Sequence, residues 1–193
     1  MLQRREQLGG MTTMAEVAAP ALPAPSRSIT AKLAVVCAAI LYALIALFLR
    51  FVMARVFFLP GQAKIDGPSI PVRTDFFEFS VTLPAAIKDS TFQMFDTQYA
   101  DLPIPATVAA IVFTYAEFVL PICLLLGFGV RLAALGLLAM TVLLQVYVVP
   151  GMWWPAHVYW VSILLVLIVL GPGAISIDAL IRWIYRRDRR AAR

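Results

Sequence analysis

Histidine occurs once in this chain and cysteine twice, and only 14% of the 193 residues are Asp, Glu, Lys or Arg. A lone His157 with Cys37 and Cys123, and no CxxC, cannot make up the ligand set of a zinc site, so no metal is expected. Each cysteine lies inside an apolar run, where a small buried residue is the plain reading. Met152 and His157 are two potential copper ligands, too few to define a centre. A glycine-rich phosphate loop, a haem CxxCH motif and a nucleophile triad are all absent. The net charge of +5 gathers into no basic face, since the basic residues flank apolar runs; this argues against a nucleic-acid partner.

What the chain has instead is apolar length. Hydrophobic residues make up 62%, well above the ~45–50% of a soluble domain, and the long runs point to a lipid bilayer. Residues 1–30, with Pro20, Pro23 and Pro25 close together, read as a disordered tail. They are followed too late by too long an apolar run for a cleaved signal peptide. Spans are predicted at about 33–59, 105–126, 131–149 and 156–170, the last short for a full crossing. The first is expected to close at Pro60-Gly61. An insert over 61–104 separates the first two spans. In it Phe77, Phe79, Val81 and Leu83 alternate with Glu78, Ser80 and Thr82, predicting a short strand. Pro84 then opens a segment with Ile87, Thr91 and Phe95 on one helix face. After Gly171-Pro172-Gly173, an interfacial amphipathic helix and a basic tail, 182–193, close the chain. The fold class is thus an all-α membrane protein, a four-helix transmembrane bundle with one long extracytoplasmic loop. Eleven Lys and Arg lie in the two termini and the Arg131 turn, against three in the insert, which places both termini in the cytoplasm.

The candidate chemistry begins at Glu117, an acid in the middle of the second span, where insertion costs about 2.5–3.5 kcal/mol. Pro121 lacks the N–H that would bond the Glu117 carbonyl, so the helix should bend there and leave an acceptor free. Ala39, Ala43, Ala46, Arg50 and Ala54 recur at helical spacing and turn Arg50 toward protein. Counted from the outer ends of their spans, Arg50 lies about 15 Å deep and Glu117 about 18 Å. An Arg50–Glu117 pair would resolve both penalties. It is read either as a structural salt bridge or as the floor of an outward-opening cavity lined by Arg55, Gln145, Tyr147, His157 and Trp160. Arg50 and Arg55 have a plainer reading as snorkelling residues, and His157 as an interfacial polar residue.

Several ordered segments resemble the DoxX family. They are Arg50 followed by Gly61-Gln62-Ala63-Lys64, Glu117-Phe118-Val119-Leu120-Pro121 leading to Leu125-Leu126-Gly127, Arg131 to Leu135, and Gly171-Pro172-Gly173-Ala174-Ile175-Ser176-Ile177-Asp178. The resemblance covers roughly 45–181, within a membrane domain of 31–181. It implies a small four-helix protein of a bacterial-type inner membrane with links to redox biology, and it highlights Arg50, Lys64, Glu117, Arg131, His157, Gly171, Gly173 and Asp178. The expected function is a quinone-linked subunit of a membrane redox system: Arg50 and His157 bond quinone oxygens, Glu117 relays a proton, and a separate redox protein supplies electrons. Whether the chain is itself an enzyme stays open. The alternatives are a non-catalytic anchor or assembly factor for a thiol- or copper-handling pathway, and a small-solute permease that would have to form a homo-oligomer.

Overall fold

The computed structural model describes residues 29–73 and 78–191. The chain divides into two compact units, 1–37 and 38–193. Of the first, the described residues 29–37 are the opening turns of a helix. The predicted tail lies outside the described residues except for its last two positions, and so does Phe77 of the predicted strand.

Helix α1, Ile29–Ala63, runs for 35 residues and passes through Pro60 and Gly61, where a turn was predicted. One proline near a helix end removes a single backbone bond, and here tertiary packing carries the helix one turn further. Its small-residue stripe is buried from Ala43 through Ala46, Arg50 and Ala54 to Gly61, whereas Ala39 is exposed. The insert follows as two small antiparallel ribbons. Strand β1 (Ile65–Asp66) pairs with β4 (Ala86–Ile87), and β2 (Ser69–Arg73) pairs with β3 (Glu78–Thr82) in the register Ser69↔Thr82. The predicted alternation therefore does form a strand. The helix expected from Pro84 starts later, as α2 (Asp89–Thr97), because Ala86 and Ile87 are taken up by β1; Thr91 and Phe95 are its buried residues.

Helix α3, Ala106–Leu126, contains both Glu117 and Pro121. It ends at Gly127 in the left-handed region, φ 75°. There Gly127 N–H bonds Leu124 O at 3.2 Å and Phe128 N–H bonds Cys123 O at 2.9 Å, the paired closure that satisfies the last carbonyls. Helix α4, Val130–Leu143, continues as a π-helical turn, Leu144–Val148. A 3-10 turn, Pro150–Met152, and a second π-turn, Trp153–His157, lead into α5, Val158–Leu170. The fourth span is therefore Pro150–Leu170, 21 residues rather than the short segment predicted. Pro155 lacks an amide N–H, and the widened turn absorbs the missing bond without ending the helix. Helix α6, Ile177–Ala191, closes the chain with Asp178 in its first turn.

Among the described residues, four helical stretches are long and apolar enough to cross a bilayer: Ile29–Ala63, Ala106–Leu126, Val130–Val148 and Pro150–Leu170. Among the described residues, one core gathers Met53, Phe57, Phe95, Phe113, Leu124, Leu137, Leu164 and Leu167. Leu132 (76% exposed) and Val169 (73%) are apolar but lie outside it, as expected of residues solvated by acyl chains.

Candidate functional site

Glu117 is buried and paired, but with Lys64. Lys64 Nζ lies 2.7 Å from Oε1 and 2.6 Å from Oε2, so both carboxylate oxygens are engaged. The lysine, one residue beyond α1, is held from behind by the insert. Its carbonyl accepts from Thr91 Oγ1 at 3.1 Å and from Lys88 N–H at 3.1 Å. Its ammonium sits 5.7 Å from the centre of the Phe95 ring, which stacks on Tyr99 and meets Phe113 edge-on. Burial, aided by the nearby Glu117 carboxylate, pushes the Tyr99 phenol above its ordinary range. Gly61 makes the approach of α1 and α3 possible: a Cβ there would lie 2.9 Å from the Glu117 carbonyl oxygen and 3.0 Å from its Cβ. That carbonyl is the one Pro121 cannot bond.

The expected Arg50–Glu117 pair is not formed, and the reason is register. Gly61 meets Glu117, while Gly127 lies against Arg50. On these antiparallel helices the two charges stand about ten residues apart, roughly 15 Å along the axis. The outer ends of α1 and α3 are not level: Gly61 meets Glu117, so α3 begins well beyond the end of α1, with the insert packed in the step. Arg50 is fully buried at the other end, donating from Nε to Ala46 O at 3.3 Å and from Nη2 to Ile175 O; its Nη1 has no hydrogen-bond partner among the described residues. Around it the Gly171–Asp178 run folds under the α3–α4 turn. The Asp178 carboxylate accepts from Gly129 N–H at 3.0 Å and Val130 N–H at 3.4 Å, and the Asp178 amide donates to Gly127 O. These contacts make Arg50 and Asp178 a staple between helix ends.

A second polar group forms where the two π-turns face each other. Gln145 Nε2 donates to Pro150 O at 2.6 Å, which orients the amide; its Oε1 then lies 2.6 Å from His157 Nδ1. An amide oxygen only accepts, so Nδ1 carries a proton, and in the neutral imidazole Nε2 is then the acceptor. The imidazole is 5.0 Å from the Trp160 ring, and Trp160 meets Phe57 at 5.6 Å. Phe57 and Gly61 are one turn apart on the buried side of α1, so the His157 group and the Lys64–Glu117 pair flank the same end of that helix. Of the expected lining residues the structure gathers Gln145, His157 and Trp160. Arg55 and Tyr147 are exposed and their side chains make no hydrogen bond or ion pair among the described residues, and Arg50 is at the opposite end. The partner that sequence reasoning missed is Lys64, whose position in a resemblance motif was its only signal. Both cysteines are free thiols.

A protein-family model described as DoxX matches residues 45–150, a stretch that takes in Arg50, Lys64, Glu117 and Gln145. No curated protein and no solved structure matches the chain.

Proposed function

The chain belongs to the DoxX family and is an integral membrane protein, and from that premise we propose that it serves as a quinone-linked subunit of a membrane redox system. The observation that carries this reading is the fixed imidazole of His157. Gln145 and the Pro150 carbonyl hold it as an acceptor at Nε2, beside the aromatic pair Trp160 and Phe57. An acceptor next to flat rings fits a hydroxylated aromatic head group: His157 takes the hydroxyl hydrogen bond and the rings supply stacking surface. His157 is only 3% exposed, which limits the water that can compete for that bond. The species this acceptor fits is the reduced quinol, which on oxidation to the quinone would give up two electrons and two protons, the electrons passing to a separate redox protein. The insert and the Trp153–His157 turn then face away from the cytoplasm, and both termini lie on the cytoplasmic side of a bacterial-type inner membrane, an orientation supported by the Lys and Arg distribution. Mass spectrometry of lipid extracts from the purified protein tests the reading. A quinone retained by the wild type and by Tyr147→Phe, but lost from His157→Leu, is the expected result; equal retention in all three would overturn it.

A second reading draws on a different observation. Both oxygens of Glu117 are held by Lys64, which suits a pair that fixes helix register better than one that relays protons. On this reading the protein is an anchor or assembly factor, and a soluble thiol- or copper-handling partner co-purifies with it in the absence of quinone.

A further inference from the structure

At the end of the bundle opposite the Lys64–Glu117 pair, an open cleft of about 350 Å³ lies between the start of α4 and the first turns of α6. Two arginines line it, Arg131 from α4 and Arg182 from α6. Neither has a carboxylate partner among the described residues. Arg131 makes one long bond, Nη2 to Val169 O at 3.4 Å, and Arg182 makes none. The one acid lining the cleft, Asp178, is committed to the Gly129 and Val130 amides. Two arginines therefore share the cleft with a single carboxylate, which leaves it a net positive charge. Its other wall is apolar: Leu132 is 76% exposed and Ile181 49% exposed. Leu132 belongs to a membrane-spanning helix and Ile181 to a basic amphipathic one, so the cleft lies where a span meets its interfacial helix.

We propose that this cleft binds the phosphodiester head group of an anionic phospholipid. The two arginines take the phosphate oxygens as forked donors, and Leu132 and Ile181 lie along the glycerol and the first acyl carbons. Basic clefts between helices at the positively flanked end of a membrane protein hold such head groups for this reason. A free phosphate would leave the apolar wall unused, and a zwitterionic lipid would bring its own cation to the arginines. The site is separate from the His157 group and independent of any quinone.

Native mass spectrometry of the full chain in detergent, with phosphatidylglycerol and phosphatidylcholine added in equal amounts, tests the proposal. Phosphatidylglycerol is expected to be retained preferentially, with Arg131→Gln and Arg182→Gln each weakening it about fivefold and the double variant roughly thirtyfold. Arg187→Gln with Arg189→Gln, farther along α6 and outside the cleft, leaves retention unchanged. If Arg131→Gln fails to fold, Arg182→Gln on exposed α6 decides alone. The proposal is overturned if the distal pair weakens binding as much as the cleft pair, if phosphatidylcholine is retained equally, or if millimolar inorganic phosphate displaces the lipid.

Discussion

Lys64 and Glu117 are each tolerable only because the other is there. Their side chains are 11% and 6% exposed, and stranding one buried charge costs about 3–5 kcal/mol, whereas replacing both with apolar groups is often neutral. Lys64→Met should therefore destabilise the protein strongly in denaturant titrations, and Lys64→Met with Glu117→Leu should recover most of that loss. Gly61→Ala tests the close approach: its methyl would press on the Glu117 backbone and cost about 1–3 kcal/mol. Tyr99 gives a pH dependence. Its folded-state phenol is raised, so as pH climbs through the ordinary tyrosine range near 10 the unfolded chain releases its proton first. Stability present below that range is then lost above it. Tyr99→Phe should flatten this alkaline fall in thermal-unfolding midpoints. At this scale the sequence was half legible. Glu117 announced itself by its insertion cost, but Lys64 sits just past a proline and a glycine that read as the end of a helix. Only packing against α3 extends that helix and delivers the amine to the acid.

At the scale of elements, the run Gly171-Pro172-Gly173-Ala174-Ile175-Ser176-Ile177-Asp178 acts as a clasp. It supplies a carbonyl to Arg50 and a carboxylate to the first amides of α4. Asp178→Ala removes a helix cap, which is worth about 0.5–2 kcal/mol. Amide exchange at Gly129 and Val130 should quicken, while exchange in α5 stays the same. The alternation ahead of Pro84 disclosed β3, because a period of two survives in any half-buried ribbon. The start of α2 was not legible, since pairing of Ala86 and Ile87 with β1 depends on residues twenty positions earlier. Nor were the π-turns: Trp153-Trp154-Pro155 reads as a break, and only the structure shows the helix widening around Pro155.

For the whole molecule, apolar length and the distribution of charge made the four spans readable, and the side chains that meet between them were not. Depth counted along separate helices cannot fix their relative register, which is why Arg50 was matched to the wrong acid. With both native cysteines replaced, a single cysteine at Gln98 should react with an impermeant maleimide added outside spheroplasts, and one at Arg189 only after lysis. The functional reading turns on the imidazole. Because the chain has one histidine, nitrogen NMR of isotope-labelled histidine observes His157 without assignment. The account predicts a proton on Nδ1, a bare Nε2 whose resonance moves when a quinol analogue is added, and loss of that fixed tautomer in Gln145→Leu. A proton on Nε2 in the wild type, or an Nε2 resonance indifferent to the quinol, would contradict it.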